Sequence, residues 1–118
     1  MDYFNPQTDT AIDWERVDKD ALVKLNVSRG LAGVPFVITS NYRDPSHSVA
    51  VGGTCHDAHT ENPCTAFDIQ CHESGLRLSI VSALIHAGFT RIGVNNVHVH
   101  ADCSTVLPQD VFWIEPNV

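Results

Sequence analysis

The segment NNVHVHAD, Asn95 to Asp102, alternates polar and small apolar residues. On an extended strand successive side chains point to opposite faces, so His98, His100 and Asp102 share one face and Val97, Val99 and Ala101 the other. The apolar face suits a core. The three ionisable groups opposite are either solvated or gathered around something. Upstream, in HDAHTENPCTAFD, His59 precedes Asp68 by nine residues, on a loop that leads into a short strand. An imidazole and a carboxylate suit zinc, and one histidine from the later strand completes a set of two histidines and one carboxylate, the catalytic type that keeps a position for water. Two neutral ligands and one anion leave the metal net positive, which lowers the pKa of water and polarises a carbonyl. The chemistry implied is hydrolysis.

These residues need elements that bring them together. DKDALVKLNVSRGLAG opens with acidic residues suited to a helix N-terminus, offers Leu22, Leu25 and Val27 as a buried face, and closes at Gly30 and Gly33. VPFVITS, Val34 to Ser40, is β-branched with its proline near the front and predicts a strand. NYRDPSHSVAVGGT, with turn formers and the Gly52-Gly53 pair, predicts a loop over one face. CTAFDIQC predicts a short strand with Asp68 and Gln70 on one side and Phe67 and Ile69 on the other. In ESGLRLSIVSALIHAGF, Leu76, Ile80, Ala83, Leu84 and Ala87 recur at helical spacing before Gly88, a C-terminal stop. TRIGV and VHVHAD flank Asn95-Asn96, a pair that tolerates the positive φ of a tight hairpin turn. DVFWIEPNV adds a strand or packs Phe112 and Trp113 on the core, and residues 1–16 read as an irregular arm.

At 118 residues the chain suits one domain, 1–118, with a single core. The fold class expected is α+β: a small antiparallel sheet with two packed helices. Seven basic against 14 acidic residues, a formal charge of −7, argue against nucleic acid and against anionic membrane surfaces as partners. No apolar run approaches the roughly 20 residues of a membrane helix. The polar, acidic start lacks the pattern of a Sec-type signal peptide, so a role outside the cell would need another route of delivery. The four cysteines, Cys55, Cys64, Cys71 and Cys103, match no paired zinc knuckle and are expected as free thiols.

VPFVITSNYRDPSHSVAVGG, then AH and AFDI, and finally AGFTRIGVNNVHVHAD together resemble the zinc D-alanyl-D-alanine carboxypeptidase and L-alanyl-D-glutamate endopeptidase family, which includes many phage endolysins. The resemblance spans residues 18–103 with the elements in order. It implies a fold related to the hedgehog and lysostaphin-type zinc domains, Zn2+ as cofactor, peptidoglycan stem peptides as substrate, and action on a cell wall after phage lysis or from a virion. It makes His59, Asp68 and His100 the metal ligands. It makes His98 the catalytic neighbour of the attacking water and Arg43 the group that binds substrate carboxylate or carbonyl oxygens. Tyr42 packs, Ser40 and His47 fix loops by hydrogen bonds, and Asp102 supports a ligand. Several positions depart from the family pattern. The acidic residue expected three before the ligand histidine is Val97, the glycine before Tyr42 is Asn41, and the interval from His59 to Asp68 is two residues longer than the family's usual spacing. Pro63-Cys64 replaces a glycine there, which brings His56 and Cys64 into consideration as ligands. The competing reading is a zinc-stabilised binding or virion structural domain that kept the ligands and lost turnover.

Overall fold

The structure, a computed structural model, describes residues 2–50 and 57–118, and of His47, Ser48 and Val49 the backbone alone. Helix α1 (Lys19–Ala32) starts where the Asp18 side chain accepts the Ala21 amide, with Asp20 in the first turn to complement the helix dipole. It ends at Gly33, whose φ of 69° is the left-handed cap that glycine adopts without a Cβ penalty. The helix therefore runs through Gly30. Its buried residues are Ala21, Leu25 and Ser28, with Leu22 packed at the margin, whereas Val27 is 48% exposed, contrary to the expected buried face.

Strand β1 (Ile38–Ser40) is shorter than the Val34 to Ser40 run because Pro35 has no amide to give a ladder. Within the predicted loop lies a short helix, α2 (Pro45–Ala50), opened by a proline whose missing amide costs nothing at that position. Gly52, Gly53, Cys55 and His56 lie outside the described residues. Strand β2 (Phe67–Gln70), helix α3 (Ser74–Ala87), strand β3 (Arg91–Val94) and strand β4 (His98–Asp102) follow as expected, with Gly88 at φ 106° closing α3. The turn between β3 and β4 works differently from the prediction, since neither Asn95 nor Asn96 has a positive φ. Instead the Asn95 side-chain oxygen accepts the amides of Val97 and His98, both at 2.9 Å, an Asx turn that folds the chain back.

Strand β5 (Val111–Ile114) makes the sheet mixed rather than antiparallel: the order is β1-β2-β4-β3-β5, and β5 runs parallel to β3. Because β2 already occupies the outer edge of β4, the chain leaving β4 must cross to the free edge of β3. Having just run antiparallel to β3, it enters there parallel to it. Alternation divides the sheet into two faces. Phe67, Ile69, Ile92, Val94, Val99 and Ala101 meet α1 and α3 in one buried core, which also takes Phe4 and Ile12 from the N-terminal arm. Asp68, Arg91, Gly93, His98, His100 and Asp102 stand on the other face.

Candidate metal centre and its surroundings

The register of the sheet assembles the centre. Asp68 on β2 and Gly93 on β3 both sit directly opposite His100 on β4. His59 arrives from outside the sheet, on a single 3₁₀ turn (Ala58–Thr60) whose start is capped by the Asp57 side chain at the His59 amide, 3.0 Å. The Arg43 amide donates to the His59 carbonyl at 2.8 Å and ties that turn to the segment after β1. His59, Asp68 and His100 are all buried.

Their donor atoms converge. His59 Nε2 lies 3.2 Å from Asp68 Oδ1, His100 Nδ1 lies 3.1 Å from the same oxygen, and the two ring nitrogens are 3.2 Å apart. Three ligands at the ordinary zinc distance of roughly 2.0–2.1 Å on a tetrahedron would be about 3.3 Å apart. The far side of each ring shows which nitrogen bears the lone pair. His59 Nδ1 is 2.6 Å from the Asn41 carbonyl, which can only accept, so Nδ1 carries the hydrogen and Nε2 faces the centre bare. His100 Nε2 is 2.6 Å from Asp102 Oδ2, which leaves Nδ1 facing the centre. Burial raises the Asp102 pKa, but hydrogen bonds from His100 and Ser104 and the charges of His100 and Arg91 outweigh it, so the group stays a carboxylate acceptor. Asp68 is likewise driven up by burial and further down by its hydrogen bonds to His100 and His59. Two lone pairs and a carboxylate oxygen aimed at one another in a buried site call for a cation. A proton can serve: burial pushes the His100 pKa down, the bonds to Asp102 and Asp68 push it up, and the balance lies at about 9. A divalent metal fits the same donor set better, because it meets all three groups at once.

Asp102 is fully buried and braced by Arg91, whose Nε donates to Asp102 Oδ1 at 2.9 Å and whose Nη1 donates to the Pro108 carbonyl. This is the supporting role expected of it. Asn41 carries a load that its position after β1 did not reveal: its side chain accepts the Asp13 amide at 3.0 Å and donates to the Ala66 carbonyl at 2.9 Å, while its own carbonyl orients His59. Its φ is not positive, so hydrogen bonding, not backbone tolerance, explains the residue. Cys64 is no ligand. It is buried with its sulfur against the carbonyls of Ala58, His59 and Ala66, and burial, with nearby carboxylates, pushes its pKa up to about 12. Cys64, Cys71 and Cys103 are free thiols.

His98 and Arg43 line the same cavity as the three convergent residues. Arg43 Nε is buried without a hydrogen-bond partner among the described residues. His98 Nε2 is 2.6 Å from Glu115 Oε1, and this bond, with neighbouring carboxylates, raises its pKa above the ordinary value despite partial burial. Tyr42 packs beside Ala58 and Cys64, as expected. Ser40 ends β1 opposite Asp68. The cavity also contains Trp113, Glu115 and Arg91, none of which stood out in the sequence. Trp113 is tilted against His100, ring centroids 5.5 Å apart, and the Arg91 guanidinium lies over the indole, 5.0 Å from its centroid. The indole needs Gly93 beneath it, since a Cβ there would lie 2.6 Å from Trp113 ring atoms. Trp113 on β5 and Glu115 just past its end, two residues apart, both line the cavity, a signal visible in FWIEP only once that segment is known to be a strand.

The profile of the peptidase M15 family matches residues 4–103. The chain belongs to the peptidase M15 family. That span holds the three convergent residues, His98 and Arg43, and stops short of β5. Among curated proteins and solved structures nothing matches the chain. Membership supports a peptidase, hence a hydrolase acting on peptide bonds. No helix among the described residues is long and apolar enough to cross a membrane.

Proposed function

We propose that this M15 member is a zinc metallopeptidase that hydrolyses amide bonds in peptidoglycan stem peptides, as a D,D-carboxypeptidase or an L-alanyl-D-glutamate endopeptidase of the endolysin kind. The observation that carries the metal assignment is the convergence of His59 Nε2, Asp68 Oδ1 and His100 Nδ1, with the far nitrogen of each imidazole tied back. Those three residues would hold the ion. Zinc in that position supplies Lewis acidity toward a carbonyl and lowers the pKa of water.

The chain's own groups do the rest. Asn41 and Asp102 fix the two imidazoles so that their lone pairs stay aimed inward. Arg43, whose buried Nε has no partner among the described residues, binds a carboxylate or carbonyl oxygen of the peptide. Trp113 and Leu107 give the cavity apolar walls that limit water. His98, beside the three ligands, takes a proton from the attacking water and returns it to the departing amine. The substrate and the setting in a cell wall rest on the sequence resemblance. Digestion of purified peptidoglycan followed by mass spectrometry tests the reading: cleavage of stem-peptide bonds that is lost with a chelator and restored by zinc is expected. Stoichiometric zinc binding with no bond cut would favour the binding-domain reading, for which Val97 in place of an acidic residue speaks.

A further inference from the structure

The family match ends at residue 103, and the strand that closes the cavity lies beyond it. On β5, Trp113 faces the site, and Glu115, just past the strand end, faces the same way. Glu115 is held at three points. Its amide donates to the Val94 carbonyl at 2.7 Å, pinning the main chain to the end of β3. Its Oε2 accepts from Trp113 Nε1 at 3.1 Å, and its Oε1 meets His98 Nε2 at 2.6 Å. A mobile surface carboxylate would not be fixed in this way, and the pair is mostly shielded, with 23% and 25% of the two side chains exposed.

The geometry decides which nitrogen of His98 is committed. A glutamate near neutrality is a carboxylate and can only accept, as it does from Trp113 Nε1. The shared hydrogen then sits on Nε2, and Nδ1 is the nitrogen free to exchange protons.

We propose that Glu115 is the positioning carboxylate of His98, and that the β5 edge thereby supplies, from beyond the ligand strand, the acidic group that Val97 leaves missing before it. The proposal rests on the reading of His98 as the proton-carrying group. Glu115 stays a carboxylate throughout. Glu115 fixes the tautomer and the orientation of the His98 ring, the work carboxylates do behind histidines at many sites.

The test uses the full chain with zinc bound and with zinc removed. Nitrogen-15 NMR of the histidine rings, with the His98 signals identified by their loss in His98→Gln, should show neutral His98 protonated at Nε2 in the wild type, and a mixture of tautomers in Glu115→Ala, which should stay folded with thermal unfolding only slightly lowered. On stem-peptide substrate, Glu115→Ala and Glu115→Gln should lower kcat about 10–100-fold with KM little changed, Glu115→Asp should recover part of the loss, and Glu115→Ala should cost nothing further in a His98→Gln background. Unchanged His98 tautomers in Glu115→Ala, or a full additional loss in the double variant, overturns the proposal. Full activity in His98→Gln overturns the reading of His98 on which it rests, whereas an inactive His98→Gln beside a fully active Glu115→Ala overturns the role of Glu115 alone.

Discussion

His100 and His98 stand on the same face of the same strand, yet their carboxylate partners come from opposite ends of the design. At the centre of the sheet, His100 is backed by Asp102 from its own strand, which is fully buried and braced by Arg91. At the edge, His98 is backed by Glu115 from β5, which remains partly open to solvent. A buried carboxylate fixed by a second charge makes a rigid ligand. A partly exposed one at an edge suits a ring whose charge must change. On the proposed reading, the centre is the metal anchor and the edge the proton-handling station.

The largest effect expected from separating the two regions comes at the centre. His100→Ala or Asp68→Ala should abolish stoichiometric metal binding, read by elemental analysis of the purified protein, and reduce peptidase activity to background, because two remaining ligands do not make a site. Asp102→Ala should be next: it leaves Arg91 buried and unpaired and His100 without its orienting acceptor, for a loss of about 3–5 kcal/mol in denaturant unfolding, with metal affinity about 10–100-fold lower. Gly93→Ala strikes the seam between centre and edge. Its Cβ would push the Trp113 indole off the sheet, costing about 1–3 kcal/mol and disturbing β5 while leaving metal stoichiometry intact.

The smallest effect belongs to the edge pair and depends on pH. Glu115 has a folded pKa below its ordinary 4.5, so its contribution to stability is fully present above 4.5 and fades as pH falls through the folded value. His98 has a folded pKa above its ordinary 6.5, so its contribution is fully present below 6.5 and fades as pH rises through the folded value. Both act together between 4.5 and 6.5. Glu115→Gln should therefore destabilise the protein most in that window, by no more than about 1 kcal/mol for a partly exposed pair. The difference in unfolding free energy from wild type should shrink on either side, and a difference independent of pH would mean that the pair is not ionic.

Much of the centre was legible in the sequence because it depends on local alternation. His98, His100 and Asp102 share a face by strand geometry, and Asp68 shares its side of CTAFDIQC by the same rule. The helices were legible in their starts and stops, Asp18, Gly33 and Gly88, although the buried face of α1 turned out to use Ala21 and Ser28, small residues that permit close approach, where Val27 had been expected. The edge was not legible. Glu115 is seventeen residues from His98, and nothing in a one-dimensional pattern says that β5 passes β4 by and pairs in parallel with β3. The turn at Asn95 likewise depends on a side-chain acceptor, not on the backbone conformation that the residue type suggested.

The sequence by itself determined the donor types, their placement on strand faces and membership of a metallopeptidase family, because these follow from residue chemistry and a period of two. Only the tertiary structure decided which nitrogen of His59 and of His100 faces inward, that the Cys64 sulfur lies against main-chain carbonyls, that Asn41 and Asp102 hold the two imidazoles, and that Glu115 meets His98. Each of these depends on which strand lies beside which, and strand order is set by where a free edge remains when the chain arrives, a property of the assembled sheet and of no single segment.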